Sequence, residues 1–252
     1  MKYKWNKETL EYFYKHFRQI YDISTPGGLK RIDQARETIK ETLSSLNLQL
    51  SEKNRVLVLC SGSGPEAIAL AELYNCSITC IEIQDWLLQK CLDEARKRKL
   101  KIEGISLDVR QINKIFSENE FDAIFLWGSS LAHFNIFDFD DIASKAYRIL
   151  KRNGFFVIEQ ADHVFGLLMK YKDIILEDEE SLIISIHAGF DPHEGCWKRV
   201  TFNLKDGSVN SYLAYVWSPW IIRYVLYKNN FNNIKIIRKM RTNTHVVVGF
   251  KI

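Results

Sequence analysis

Apolar and polar positions form alternating blocks through the middle of the chain, where short apolar runs are followed by longer stretches of helical periodicity. The run Val56-Leu57-Val58-Leu59 is typical of a strand that is buried on both faces. Further strands are predicted at 77–81, 102–107, 121–127 and 155–158, and helices at 65–74, 84–99 and 139–150. Strands that alternate with helices form parallel βαβ units with right-handed crossovers. The pattern therefore predicts an open, doubly wound α/β fold.

The regions on either side of this block follow other patterns. Amphipathic helices are predicted at 6–20 and 29–46, separated by the breaker sequence Ser24-Thr25-Pro26-Gly27-Gly28. After residue 160, polarity alternates with a period of two, which predicts strands at 181–189, 197–205 and 208–217. Asp206-Gly207 is a hairpin signal between the last two of these strands. The alternation predicts an antiparallel β insertion.

The C-terminal region returns to the central sheet. Ser218-Pro219 begins a helix, because serine favours the N-cap and proline the first helical position. The strands at 233–238 and 244–250 are joined by a short turn, so they pair antiparallel. The sheet is thus predicted to be mostly parallel and seven-stranded, with an antiparallel last strand. We expect one domain over residues 1–252, with a helical cap at 1–50, a core at 54–160 and 218–252, and an insertion at 161–217 over the ligand-binding edge.

Composition and charge are those of an ordinary globular protein. Hydrophobic residues make up 46% and charged residues 26% of the chain, which argues against disorder. The net charge of +4 is too small to indicate nucleic-acid binding by itself. Five cysteines without a C-x-x-C pair favour a reducing compartment, and the charged N-terminus has no signal-peptide core. We expect a cytoplasmic chain without a membrane segment; the sequence does not fix its oligomeric state.

A glycine-rich turn, Cys60-Ser61-Gly62-Ser63-Gly64, connects the first predicted strand to its helix. Glycines let the backbone approach a ligand closely, and the helix N-terminus adds free N–H donors. Glu82 ends the second strand about 20 residues after the first glycine, where a carboxylate accepts hydrogen bonds from ribose hydroxyls. We expect the Glu82 side chain to face solvent without a packing role. Asp108 follows the third strand at the same edge, within reach of an adenine amino group. The spacing predicts a nucleoside-containing ligand.

Two nucleoside cofactors fit this turn. Gly62, Gly64 and Ala67 satisfy the dinucleotide fingerprint G-x-G-x-x-A. A dinucleotide fold continues with a second parallel half, whereas this chain is predicted to end in an antiparallel strand pair. That ending favours S-adenosylmethionine over NAD.

Residues 54–160 resemble the catalytic domain of the class I S-adenosylmethionine-dependent methyltransferases. The resemblance rests on VLVLCSGSG, CIEIQDWLL, LDVRQI, FDAIFLWGSSLAHF and AYRILKRNGFFVIEQ, and 218–252 resemble the family's last helix and strand pair. Val58 and Cys60 depart from the family, which has an acid and a glycine there. The resemblance implies a set of cofactor-binding residues: Cys60, Ser61, Gly62 and Gly64 for the methionine portion, Glu82 for the ribose, Ile83, Asp108 and Val109 for the adenine, and Trp127 and Gly128 beside the methyl donor.

The segment after the fourth strand indicates the methyl acceptor. It lacks the N/D-P-P-Y/F motif of enzymes that methylate exocyclic amino groups of bases, and Ser129 to Phe134 resembles the Asn/Ser-Leu-x-His turn of small-molecule methyltransferases. The resemblance implies transfer to an N or O atom of a small molecule. His133 is either a general base, since imidazole titrates near neutral pH, or a loop residue that shapes the cofactor pocket.

Two other functions stay open. The N-terminal segment interleaves aromatic residues with lysines, which suits either RNA binding or an amphipathic helix that closes over the cofactor. The departures at Val58 and Cys60 fit a protein that binds S-adenosylmethionine without turning it over. An RNA methyltransferase and a non-catalytic binding protein are therefore the alternatives, although a nucleic-acid partner is the weaker expectation.

A few aromatic and polar residues outside the motifs are candidates for acceptor contacts. The resemblance implies that Tyr14, Tyr21 and Arg31 contact the cofactor or the acceptor. Trp197, in the insertion, is a candidate wall of the acceptor pocket. No metal is predicted, because the histidines and cysteine at 187–196 lack the spacing and the fourth ligand of a zinc site.

Overall fold

A computed structural model describes residues 7–17, 22–170, 173–178, 182–239 and 242–252. The helices, numbered in chain order, are α1 (Lys7–Phe17), α2 (Pro26–Ser45), α3 (Pro65–Tyr74), α4 (Asp85–Arg98), α5 (Ile136–Ile149), α6 (His163–Lys170) and α7 (Pro219–Lys228). The strands are β1 (Arg55–Leu59), β2 (Ser77–Glu82), β3 (Ile102–Ser106), β4 (Phe121–Leu126), β5 (Leu150–Ala161), β6 (Ile174–Asp178), β7 (Ile183–Asp191), β8 (Cys196–Asn203), β9 (Val209–Tyr215), β10 (Asn232–Arg238) and β11 (Thr244–Phe250). Short 3₁₀ turns occur at Val109–Lys114 and Ser130–His133.

The larger sheet has seven strands in the order β10-β11-β5-β4-β1-β2-β3. Its first five strands along the chain pair in parallel, and β11 is antiparallel to both β5 and β10. The predicted fold class, a doubly wound and mostly parallel seven-stranded sheet with an antiparallel last strand, is confirmed. Because parallel strands end at the same edge, the turns after β1, β2, β3 and β4 converge there.

The central strand β1 shows why this sheet is buried on both faces. Its side chains alternate: Val56 and Val58 pack into one hydrophobic cluster with α2 and α3, whereas Leu57 and Leu59 pack into the other with α5 and α7. All four side chains are at most 1% exposed. A strand covered on both faces needs apolar residues at every position, which is the pattern in the sequence.

The insertion forms a second, four-stranded antiparallel sheet in the order β6-β7-β8-β9. The antiparallel β insertion is therefore confirmed, while α6 and β6 were not predicted. Trp217, at the end of the insertion, is 1% exposed. Its indole Nε1 donates to the carbonyl oxygens of Leu131 (2.7 Å) and Phe134 (3.1 Å). The indole thereby ties the insertion to the turn after β4.

Several element boundaries differ from the predictions for local reasons. Helix α2 begins at Pro26 rather than at 29, because Thr25 Oγ1 caps it by accepting from Gly28 N (3.1 Å). Helix α5 begins at Ile136, where Asn135 Oδ1 accepts from Asp138 N (2.7 Å). No helix in the described ranges is long and apolar enough to cross a membrane.

Of the two glycines in the turn after β1, Gly64 has the less space for a side chain. A Cβ at Gly64 would lie 2.1 Å from Cys91 Sγ, and the residue has φ +81°. A side chain in this region costs roughly 1–2 kcal/mol, and overpacking a core adds about 1–3 kcal/mol. We expect Gly64→Ala to lower the free energy of unfolding by about 3 kcal/mol or more in urea titrations. Gly62→Ala is the matched control, because Gly62 (φ +55°) has open space around its Cβ position. Equal losses for the two variants would contradict the packing role of Gly64.

Candidate active site

The turn between β1 and α3 is built from left-handed residues. Cys60 has φ 52°, and Gly62 and Gly64 have φ 55° and 81°. Cys60 occupies a conformation that costs a residue with a side chain roughly 1–2 kcal/mol. Burial raises the pKa of its thiol well above the ordinary value, so this cysteine is protonated at neutral pH. The turn thus keeps the shape of a glycine turn although Cys60 stands at its first position.

Glu82, at the end of β2, holds this turn against the next one. Its carboxylate accepts from Gly62 N (2.8 Å) through Oε2 and from Gln84 N (2.9 Å) through Oε1. Burial raises the pKa of Glu82, and the backbone hydrogen bonds oppose that effect. The expectation that Glu82 faces solvent without a packing role is wrong: it is 7% exposed and joins two turns. The carboxylate is buried because both turns fold back over the end of the strand.

Asp108, after β3, forms a fork with Arg110. Asp108 Oδ2 lies 2.6 Å from Arg110 Nη2, and both carboxylate oxygens accept from Nε (3.0 and 3.1 Å). Burial acts to raise the pKa of Asp108, but hydrogen bonds from the Arg110 side chain and backbone outweigh it and leave the pKa lowered. Asp108 is therefore a fixed, ionised acceptor at the edge of the site.

A partly buried ion pair supports the turn after β4. Gly128 has φ 73°, and its N–H donates to Glu159 Oε2 (2.9 Å). The other oxygen of Glu159 pairs with Lys239, whose Nζ lies 5.5 Å from the Trp127 ring centroid. This group was not predicted from the sequence. Its signal was Glu159, a charged residue at the end of the otherwise apolar run of β5.

Helices α1 and α2 cover the same edge. The carbonyl of Lys7 accepts from Gln84 Nε2 (2.8 Å), and the Tyr14 hydroxyl lies 2.9 Å from His133 Nε2. From α2, Arg31 Nη2 lies 3.5 Å from Glu66 Oε1. Burial raises the pKa of Glu66, and the charge of Arg31 opposes that effect. The N-terminal helices are therefore fixed to the turns of the sheet by polar contacts.

These elements enclose two adjacent cavities. The first, which we call the glycine-turn cleft, has about 990 Å³ of empty space. The second, the insertion cavity, has about 800 Å³ and lies between the turn after β4 and the second sheet. Three residues line both cavities: Tyr14, Gly128 and His133. The boundary between the cavities is thus formed by α1 and the turn after β4.

Most of the predicted site residues meet at these cavities. The glycine-turn cleft is lined by twelve of them: Cys60, Ser61, Gly62, Glu82, Ile83, Asp108, Val109, Trp127, Gly128, Tyr14, Arg31 and His133. Gly64 does not line it, because it packs behind the turn against Cys91. Trp197 lines the insertion cavity instead. Tyr21 lies outside the described residues. Arg199 and Glu177 of the insertion cavity were not predicted, since alternating strands also carry charged residues on their solvent side.

Comparison with known proteins identifies the central part of the chain. Residues 56–154 match the sequence profile of a family described as a methyltransferase domain. This match identifies the part of the chain that is similar to a methyltransferase domain. The match begins in β1 and ends in β5, so it covers the glycine turn, Glu82, Asp108 and the turn after β4. A comparison with curated protein sequences gives no match.

Several solved structures share this fold and align with nearly the whole chain. The PH0226 protein from Pyrococcus horikoshii OT3 is 18% identical, with a TM-score of 0.70 over 96% of this chain and 99% of that one. An S-adenosylmethionine-dependent methyltransferase from Clostridium acetobutylicum ATCC 824 is 15% identical, with a TM-score of 0.68 over 94% and 98%. CalS10, an amino pentose methyltransferase from Micromonospora echinaspora whose structure has S-adenosylmethionine bound, is 12% identical, with a TM-score of 0.65 over 88% and 92%. The predicted fold is therefore confirmed, and residues 56–154 match a methyltransferase domain as predicted.

The pair formed by Asp108 and Arg110 gives the methyltransferase domain a pH-dependent contribution to stability. The pKa of Asp108 is depressed in the folded state, so the stabilisation is present above its ordinary value of 3.8 and is lost as the pH falls through the lowered value. We expect Arg110→Met to reduce the free energy of unfolding at pH 7 by about 0.5–1 kcal/mol, because the pair is partly exposed. The difference from wild type should shrink below pH 3.8.

Urea titrations between pH 3 and pH 7 measure this difference. Arg96→Met is the control, because its pair with Asp93 is more exposed, at 69% and 50% against 34% and 18% for Arg110 and Asp108. A loss that is the same at every pH would contradict the assignment to Asp108.

Proposed function

We propose that this chain transfers the methyl group of S-adenosylmethionine to an N or O atom of a small molecule. One observation carries the proposal: the glycine-turn cleft and the insertion cavity meet at Tyr14, Gly128 and His133. A methyltransferase needs a cofactor site and an acceptor site that open onto each other, because the donor and acceptor atoms must align for direct transfer. In this proposal residues 1–50 form a cap, 54–160 and 218–252 bind the cofactor, and 161–217 cover the acceptor.

The residues of the glycine-turn cleft fit the cofactor. Apolar side chains and a few polar acceptors line it together, which is the usual lining of a small-molecule site. A carboxylate has about four lone-pair positions, so the two backbone bonds of Glu82 leave acceptor capacity for the ribose hydroxyls. Asp108 would accept from the adenine amino group by giving up one of its four contacts with Arg110, and Ile83 and Val109 supply apolar contacts for the ring. An added Cβ at Gly62 would meet nothing within 4 Å, so the turn leaves room for the methionine portion.

We propose roles for the residues at the boundary between the cavities. When bound, the cofactor supplies a sulfonium that leaves readily and an electrophilic methyl group. Tyr14 and His133 then orient the acceptor, and His133 accepts the proton that the acceptor nitrogen or oxygen releases. The hydrogen bond of 2.9 Å between the two side chains fixes the imidazole at the boundary. Gly128, held by Glu159, lets the acceptor approach without a side chain in the way.

The environment of α1 supports the small-molecule acceptor over RNA. Lys7 pairs with Asp85, and Lys15 pairs with Glu11. Phe13 is 4% exposed, with its ring centroid 4.9 Å from that of Tyr212. Basic and aromatic residues of a nucleic-acid surface would instead stay available to phosphates and bases. We therefore propose that α1 closes the site.

We further propose a cytoplasmic location for the protein, which suits the five free cysteines of the chain.

Label transfer tests the proposal directly. The protein is incubated with S-adenosylmethionine labelled at the methyl group, together with a small-metabolite extract or with total RNA from the same cells. We expect label in low-molecular-weight products, and excess S-adenosylhomocysteine should suppress it. Label in RNA alone would contradict the acceptor class. Tight binding of S-adenosylhomocysteine without label in any fraction would favour the non-catalytic alternative.

Glu82→Gln tests the ribose contact while keeping the shape of the side chain. Hydrogen bonds to a charged group contribute about 1.5–3 kcal/mol, so we expect the Kd for S-adenosylhomocysteine to rise by roughly ten- to a hundredfold. Calorimetric titration measures this Kd. A melting curve reports any loss of stability when the hydrogen bonds from Gly62 N and Gln84 N to the Glu82 carboxylate are altered. Glu103→Gln is the control, because Glu103 is exposed on neighbouring β3 and does not line the cleft. Unchanged affinity in a folded Glu82→Gln protein would contradict the cofactor assignment.

A further inference from the structure

The wall of the insertion cavity contains a buried arginine. Arg199, on β8, is 6% exposed and lines this cavity. Its Nε and Nη2 donate to Ser185 Oγ at 3.1 and 2.5 Å, and Nη2 also lies 3.3 Å from the Ser185 carbonyl oxygen. Ser185 Oγ in turn donates to Glu177 Oε1 at 2.5 Å. Ser185 therefore fixes one edge of the guanidinium.

The other edge of the guanidinium is available to a ligand. Within the part of the chain that the structure describes, no carboxylate forms an ion pair with Arg199, and its Nη1 forms no hydrogen bond. A guanidinium has five N–H donors, and Nη1 carries two of them. Burying a charge without an opposite charge in contact is costly. An anion in the cavity would offset that cost.

We propose that the methyl acceptor carries a carboxylate and that Arg199 binds it. This inference rests on the proposed function, because it assigns the insertion cavity to the acceptor. Arg199 thereby becomes a specificity-determining residue. It would hold the acceptor by a group other than the methylated atom and present that atom to the boundary at Tyr14 and His133.

The charges around the cavity favour a single negative charge. Besides Arg199, the titratable groups that line it among the described residues are Glu177, Tyr14, Tyr212, His133 and His163. Burial lowers the pKa of His163, which is therefore neutral at pH 7. A phosphate dianion would have one guanidinium to offset it and would share the cavity with Glu177. A carboxylate matches the single guanidinium, and its planar shape suits N–H donors in a plane.

The neighbouring side chains favour an acceptor whose remaining part is apolar. Trp197 and Tyr212 line the same wall, and the Trp197 ring centroid lies 5.3 Å from that of His163. Aromatic surfaces of this kind bind flat, apolar groups. Benzoate is therefore a suitable probe, and benzamide has nearly the same shape without the charge.

The experiment first separates the inference from the proposed function. Calorimetry with S-adenosylhomocysteine establishes whether the full chain binds the cofactor product; absence of binding would contradict the proposed function itself. The saturated protein is then titrated with benzoate, benzamide or inorganic phosphate, and binding is followed by ligand-observed nuclear magnetic resonance. We expect benzoate to bind at least about tenfold more tightly than benzamide or phosphate. This comparison uses wild-type protein, so it does not depend on a variant that folds.

Two variants locate the anion. Arg199→Met should remove the advantage of benzoate over benzamide while leaving the Kd for S-adenosylhomocysteine unchanged. Lys198→Met is the matched control: it removes one positive charge from the adjacent, exposed position of β8, and benzoate should keep its advantage. Equal binding of benzoate and benzamide to wild type, tighter binding of phosphate, or a benzoate advantage that survives in Arg199→Met would each overturn the proposal.

Discussion

The bridge that Glu82 makes between two turns is the constraint on which the site depends. The turn after β1 and the turn after β2 each present a backbone N–H to the same carboxylate, at 2.8 and 2.9 Å. Without an acceptor, the buried N–H of Gln84 and the partly buried N–H of Gly62 would be left unsatisfied at the edge of the sheet, and an unsatisfied buried donor costs about 1–3 kcal/mol. The same carboxylate is proposed to bind the cofactor, so the group that shapes the cleft is also the group that recognises the ligand.

The cover of the site depends on contacts between segments that are distant in sequence. Helix α1 reaches the turn after β2 through Lys7 and Gln84, and it reaches the second sheet through Phe13 and Tyr212. Trp217 fixes the insertion to the turn after β4. The sheet therefore provides the edge that is proposed to bind the cofactor, while α1 and the insertion define what can approach it.

Local signals were sufficient to predict the sheet and the glycine turn. Apolar runs of strand length identified β1, β2 and β4, and the spacing from Gly62 to Glu82 identified the edge where the loops meet. The pairing of Glu159 with Lys239 could not be predicted, because it depends on how β11 aligns with β5 across some 80 intervening residues. The burial of Arg199 could not be predicted either, since a charged residue in an alternating strand usually lies on the solvent side. The αL conformation of Cys60 follows from the tertiary context of the turn, which overrides the preference for glycine.

The proposed function requires that a cofactor cavity and an acceptor cavity meet at Tyr14, Gly128 and His133. A crystal structure of the protein with S-adenosylhomocysteine tests it most directly. We predict that the ribose hydroxyls contact Glu82 and that the sulfur atom faces the boundary with the insertion cavity. A sulfur atom that faces away from Tyr14 and His133, or a ligand bound outside the glycine-turn cleft, would contradict it.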